Sequence, residues 1–198
     1  MRTRECSCEK TGNVYMNKDG FEYVDQCYCR FLERKRIEMG ELFQHTNLLN
    51  YKCDTDKQKE NMQKIKLYID RSLYIYGDVA KGKTHLLAGI YEELWLKENR
   101  IYYYTESQLV DRIRSEKLKE KELFYIIDTD WDTFIIDDFG KKVMADWQLN
   151  NLYDFVDEVY KRKKQLVISS NYTIDTLMDK YGIAVARRID GKSEHIEV

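Results

Sequence analysis

The 198-residue sequence has no proline, only three histidines and no apolar run approaching the ~20 residues that a membrane-spanning helix needs. Its N-terminus, MRTRECSCEK, is polar and lacks an apolar h-region, which argues against a signal peptide and predicts a cytoplasmic protein. Neither sign of charge dominates. The 33 Lys+Arg against 35 Asp+Glu give a formal net charge of −2, which excludes a polycationic nucleic-acid coat but leaves room for a local basic patch. Internal repeats and low-complexity tracts are also missing. What is present suffices for a core: 43% hydrophobic residues beside 34% charged exclude a wholly disordered chain. The length fits one domain with at most a small appendage. The lack of proline and the abundance of tyrosine point to no function.

Four of the five cysteines, Cys6, Cys8, Cys27 and Cys29, form two C-x-C pairs near the N-terminus. Structural disulfides rarely persist in a reducing compartment, so the cluster points to metal or redox chemistry. Four soft thiolates suit tetrahedral Zn²⁺. Between the pairs, NVYMNKDGFEYV (13–24) reads as a hairpin around Asn17-Lys18-Asp19-Gly20 that would bring them together. With so few histidines, only His45 is close enough to join a mixed site. Two disulfides or four unligated thiols are the plainer readings. A module this small has too little core to fold alone, so metal would largely hold it together. Cys53 is read as a plain thiol.

Helical spacing follows in FLERKRIEMGELF, and 54–66 reads as a polar helix capped by Asp54 or Thr55. From Leu73 the chain alternates apolar strands and amphipathic helices. Strands are expected at Leu73–Tyr76, Ile101–Thr105, Thr133–Asp137, Leu166–Ser169 and His195–Val198. Helices are expected at Lys83–Lys97, Glu106–Ser115, Trp147–Arg162 and Ile174–Tyr181. Such alternation predicts an α/β fold with a parallel sheet covered on both faces.

After the first of these strands comes Gly77-Asp78-Val79-Ala80-Lys81-Gly82-Lys83-Thr84, followed by His85. This is G-x-x-x-x-G-K-T opening a helix. The glycines let successive N–H groups turn inward at a phosphate, and the helix N-terminus adds its positive dipole end. Lys83 is placed to meet the β/γ-phosphates of ATP or ADP, and Thr84 to ligate Mg²⁺. A phosphate loop needs an acid at the tip of a second buried strand, and Phe134-Ile135-Ile136-Asp137-Asp138 supplies two. Asp137 is assigned to the Mg²⁺ side, and Asp138 to orienting or deprotonating the attacking water. The strand 166–169 runs into Ser170 and Asn171, and Asn171 is assigned to the γ-phosphate or the lytic water.

GDVAKGKTHLL (77–87), FIIDDFG (134–140), VISSN (167–171) and ARRIDG (186–191), in this order, resemble the AAA+ ATPases. More narrowly, they resemble bacterial and phage replicative helicase loaders of the DnaC/DnaI type and their siblings, the IstB-type transposition ATPases. Trp147 fits the same pattern, and the resemblance covers residues 45–198. It implies a five-stranded P-loop AAA+ sheet between helices, ATP-dependent self-association, single-stranded DNA near the axis of the assembly and a hexameric replicative helicase as client. It also implies an arginine that reaches a neighbouring subunit's ATP, aligned with Arg188 or, failing that, Arg187. Some DnaI-type loaders carry an N-terminal zinc module that engages the helicase. The resulting division is 1–45 as a zinc-binding helicase-interaction module, 46–66 as linker and leading helix, and 67–198 as the AAA+ ATPase domain.

Three departures lower the expected rate of hydrolysis. AAA+ proteins usually continue into a helical lid, whereas this sequence stops near the last strand, so the lid is expected to be absent. Lys141-Lys142 stands where acidic residues are common in the family, and Val159 stands where an arginine is. The expectation is a loader of a replicative helicase onto single-stranded DNA with weak ATPase activity, suited by its short length to a phage or mobile element. The alternative is an IstB-like transposition helper. A small-molecule kinase would show arginine-rich lid segments, which the sequence lacks. The run Lys161-Arg162-Lys163-Lys164 reads first as a solvated helix end and second as a DNA contact.

Overall fold

The structure is a computed structural model that describes residues 2–18, 20–97, 99–118 and 133–198. Strands β1 (Asn13–Lys18) and β2 (Phe21–Gln26) pair antiparallel, with Tyr15 opposite Val24 and Lys18 opposite Phe21. This is the expected hairpin; Asp19 of its turn lies outside the described residues. Helix α1 (Tyr28–Met39) follows and stops at Gly40, where φ is +98°. Helix α2 (Asp56–Tyr68) starts with a capping box, which settles the cap as Thr55. Its Oγ1 accepts from the Gln58 N–H at 3.2 Å, and the Gln58 side chain accepts from the Thr55 N–H at 2.9 Å.

The alternating part then runs β3 (Ser72–Tyr76), α3 (Lys83–Leu96), β4 (Ile101–Thr105), α4 (Glu106–Leu118) and β5 (Thr133–Phe139). It continues with α5 (Asp146–Lys161), β6 (Gln165–Ser170), α6 (Ile174–Tyr181), α7 (Ile183–Asp190) and β7 (Ser193–Glu197). Strands β3 to β7 form one parallel sheet in the order β4-β5-β6-β3-β7. Side chains alternate across it with period two. Leu73, Ile75, Ile135, Val167 and Ile196 cluster with α1, α2 and α3. Tyr74, Phe134, Ile136, Leu166 and Ile168 cluster with α4, α5, α6 and α7. Two-sided burial explains why these strands read as continuous apolar runs.

Helix α7 is an element the sequence reading did not delimit. It is short, and glycines stand on both sides of it, at Gly182 and Gly191. Its apolar spacing nevertheless puts Val185, Ala186 and Ile189 into the core.

The N-terminal segment is seated on the far half of α3. Phe31 is fully buried, stacked on Trp95 at 4.5 Å and edge-on to Tyr91 at 5.3 Å between centroids. Lys35 and Glu92 are both fully buried and lie 3.2 Å apart; the Lys35 ammonium also donates to the Thr46 carbonyl. Arg4 completes the group at 2.7 Å from Glu92. Burial pulls the Lys35 ammonium below its ordinary value, against the attraction of Glu92. Among the described residues, no helix is long and apolar enough to cross a membrane.

Candidate functional site

The phosphate loop lies at the C-terminal edge of the sheet, where β3 passes between β6 and β7. The Gly77 N–H donates to the Ser170 carbonyl at 3.3 Å and the Val198 N–H to the Tyr76 carbonyl at 2.8 Å, so both neighbouring strands brace the start of the loop. Gly77 has a φ of +148°, and a Cβ there would collide with the Val198 carbonyl oxygen. Gly82, at +82°, caps α3 with its backbone alone. Between them Ala80 also takes a left-handed φ, of +65°, and Val79 and Lys81 are exposed. The Lys83 ammonium donates to the carbonyls of Gly77 at 2.8 Å and Asp78 at 2.6 Å, which holds it across the mouth of the loop. Burial lowers its proton affinity, while the Asp138 and Asp137 carboxylates raise it. Thr84 opens α3 next to it.

A cleft of about 400 Å³ flanks the loop, lined by Tyr51, Gln58, Lys81, Gly82, His85 and Val198 among others. His85 meets Tyr51 edge-on at 5.0 Å, and its Nε2 is buried without a hydrogen-bond partner among the described residues. Burial pulls its pKa down, which favours the neutral ring. Sequence reasoning included His85 but missed Tyr51 and Val198. They come from segments far apart in the chain: β7 beside β3 places Val198, and packing of the segment before α2 against the core places Tyr51.

Asp137 and Asp138 sit at a bulge, where the two of them oppose the single Ser169 of β6. The pair is split in environment. Asp137 is 4% exposed, and its carboxylate accepts from the Tyr103 hydroxyl at 3.0 Å, the Ser169 hydroxyl and the Asp138 N–H at 3.0 Å. Asp138 has a φ of +59°, and its half-exposed carboxylate lies 2.7 Å from Lys141. Burial and the Asp137 carboxylate hold the Tyr103 phenol well above its ordinary pKa, so Tyr103 is a donor. The loop beyond is pinned by Glu106, which is 2% exposed. It accepts from the Gly140 and Lys142 N–H groups, each at 2.8 Å, and from the Tyr181 hydroxyl at 2.7 Å. Tyr103 and Glu106 carry no local motif, and Ser169, although inside VISSN, was given no role; none of the three was anticipated at the site. Asn171 follows Ser170 at the tip of β6, on the edge that carries the loop.

Arg188 lies elsewhere. Helix α7 ends beside the start of β7, at the opposite edge of the sheet from the phosphate loop. Its guanidinium bonds Asp157 of α5 at 2.8 Å and covers the Tyr160 ring at 5.4 Å. Arg187 is exposed. Of the basic run, Lys161 pairs with Asp157 at 2.7 Å and Arg162 with Glu158 at 3.1 Å, in keeping with a helix end in solvent.

The second cluster is sulfur. The Sγ atoms of Cys6, Cys8, Cys27 and Cys29 all lie within 4.8 Å of one another. Closest approaches are 3.4 Å for Cys8–Cys29, 3.6 Å for Cys6–Cys8 and 3.8 Å for Cys6–Cys27. Four sulfurs at about 2.3 Å from a central Zn²⁺ would be separated by about 3.8 Å, so the donor set fits a tetrahedral ion. Cys27 caps α1 through its backbone and Cys29 lies in the first turn; the contact with Cys8 and burial push the Cys29 thiol up to about 12. Donation from the Cys29 thiol and the Gly12 N–H pulls Cys8 down to about 6. Cys53 is apart, with its thiol 3.7 Å from the Gln58 carbonyl.

The bacterial DnaA ATPase domain, as a family, matches residues 58–181, well over half of the chain. The chain belongs to that family. The phage-like element PBSX protein XkdC of Bacillus subtilis (strain 168) is 25% identical over 196 residues, covering 86% of this chain and 73% of XkdC. Among solved structures, the DnaC helicase loader superposes with a TM-score of 0.72 at 19% identity, over 80% of this chain and 99% of that one. AMPPCP-bound DnaA from Aquifex aeolicus superposes at 0.64 with 20% identity, over 77% and 50%. The fold is therefore DnaC-like and AAA+, as the motifs implied. The chain spans only 23% and 42% of the first two curated relatives it matches.

Proposed function

We propose that this protein is an ATP-switched loader of a replicative DNA helicase in replication initiation, encoded by a phage or mobile element. The observation that carries the reading is the assembly of Lys83, Asp137, Asp138 and Asn171 at one edge of a sheet whose fold matches the DnaC helicase loader over nearly its whole length. The likeness to XkdC supports the mobile-element origin.

In this reading ATP lies with its phosphates against the 77–82 backbone and Lys83. Its base lies in the cleft beside Tyr51 and His85. Mg²⁺, held between Thr84 and Asp137, would neutralise phosphate charge. Asp138 and Asn171 address the water, and the Lys141–Asp138 pair keeps turnover slow. Zn²⁺ in the four-cysteine site would fix the hairpin. Tyr15 and Val24, a cross-strand pair on one face of that hairpin, and Phe21 on the other face beside its turn are each more than half exposed, and the hairpin forms the helicase contact through them. Arg188 would leave Asp157 for a neighbouring subunit's γ-phosphate when copies assemble around single-stranded DNA.

The test is capture of purified replicative helicase against transposase, with ATP present. Helicase retention that is lost in Tyr15→Ser/Phe21→Ser is expected. Deleting 1–45 is a poorer test, because it strips Phe31 and Lys35 from the core. Retention of transposase alone would replace this reading with the transposition helper.

A further inference from the structure

Asp137 is held by partners from three strands. An ionised carboxylate offers about four acceptor positions. Oδ1 accepts from the Asp138 N–H at 3.0 Å and from the Ser169 hydroxyl, and Oδ2 from the Tyr103 hydroxyl at 3.0 Å. Among the described residues one position is left, on Oδ2, the oxygen that Tyr103 holds. Tyr103 has little freedom of its own. It is 7% exposed and stacks on Tyr91 at 6.4 Å with 9° between the planes, and the Tyr91 hydroxyl is anchored to Glu38 of α1 at 2.6 Å. The phenol is therefore held by its packing on α3 as well as by its hydrogen bond to the carboxylate.

We propose that Tyr103 is a positioning residue for Asp137: by occupying one acceptor position of Oδ2, it fixes the single position left for Mg²⁺ or one of its waters. This rests on the reading of Asp137 as the Mg²⁺-side acid. A phenylalanine would keep the stacking on Tyr91 and release the carboxylate. The contact is buried, so water does not readily replace the lost donor. Partners one step removed from a metal typically change its affinity by about 10–100-fold.

The experiment measures ATP affinity by calorimetry twice for each protein, in saturating Mg²⁺ and in EDTA, and reads the ratio of the two. In Tyr103→Phe the ratio is expected to fall about tenfold. Asp137→Asn should lower it at least as far. Tyr104→Phe, which removes the next phenol along the strand, on the other face of the sheet, should not change it. A lowered ratio in Asp137→Asn with a wild-type ratio in Tyr103→Phe would overturn the role of Tyr103 and leave the acid assignment standing. A wild-type ratio in both would overturn the acid assignment and the proposal with it. Equal weakening of both affinities in Tyr103→Phe would make the residue merely structural and overturn the proposal. Thermal unfolding of the same samples checks folding. Should Tyr103→Phe not fold, Ser169→Ala removes the other hydroxyl, and a wild-type ratio there would count against positioning of Asp137 by its hydroxyl partners.

Discussion

At the scale of single residues, burial decides which charges matter. Lys35 and Glu92 are fully buried, and Arg4 closes on the same carboxylate, so Glu92→Gln leaves two cations facing a neutral amide. Breaking a buried pair this way costs about 3 kcal/mol or more. Denaturant unfolding should show that loss. Asp56→Asn, which removes an exposed partner of Lys59, should stay within about 0.5 kcal/mol. Exposure works the other way at Asp138, whose 2.7 Å partner Lys141 competes for the carboxylate assigned to the lytic water. Lys141→Ala should raise steady-state ATP hydrolysis about two- to fivefold, as expected for an exposed pair. Slower hydrolysis would show that Lys141 serves the reaction.

At the scale of elements, the sequence was legible wherever a local pattern carries the structure. All five sheet strands and the loop from Gly77 to Thr84 stand where periodicity and spacing put them, except that the acid strand runs two residues past Asp137, to Phe139, and β7 starts two residues early, at Ser193. What was hidden is non-local. Tyr103 looks like part of a packed Tyr-Tyr-Tyr strand, and only the β4–β5 register, which pairs it with Ile135, lets its hydroxyl reach diagonally to Asp137 two residues on. Glu106 reads as a helix-start acid until Gly140, Lys142 and Tyr181 are seen to converge on it. Helix α7 carries the arginine that would act in trans in the proposed assembly. Within one subunit, Arg188 is bound to Asp157, which it shares with Lys161, and the hydrogen bond to the Asp157 carboxylate raises the arginine's proton affinity. Arg188→Ala should leave ATP binding by the isolated subunit intact and weaken ATP-dependent self-association, measured by sedimentation. Mixing it with Lys83→Ala subunits should restore part of the ATPase activity, since one supplies the loop and the other the arginine. Normal assembly by Arg188→Ala together with no rescue on mixing would rule out a role in trans.

At the scale of the whole molecule, the two clusters meet through α3. That helix begins at Lys83 in the phosphate loop and ends under the N-terminal segment, where Arg2 bonds the Trp95 carbonyl at 2.9 Å and Arg4 bonds Glu92. The hairpin has little buried surface of its own: Tyr15, Phe21 and Val24 are exposed, and a two-stranded hairpin is marginal in water. Its ends are tied by Arg2 to Asp25, by Arg30 to Asn13 and by the Cys27 N–H to the Gly12 carbonyl. In the proposed reading an ion held by the four sulfurs, which join the stretch before β1 to the start of α1, supplies the rest of its closure. Helix α1 differs, because Phe31 and Lys35 anchor it in the main core with or without an ion. Removing zinc should thus divide the molecule at Cys27. Hydrogen exchange after chelation should show residues 6–26 losing protection while α1, α3 and the sheet keep theirs. ATP affinity should change little, whereas helicase capture through the hairpin should fail. Protons compete with the ion for thiolates, so acidification should produce the same pattern as chelator, and re-added Zn²⁺ should reverse it at neutral pH. If β1 and β2 stay protected in metal-free protein, packing alone closes the hairpin and the ion has no structural role. If protection is lost through α1 and α3 together, the N-terminal segment and the ATPase fold as one cooperative unit rather than in two parts.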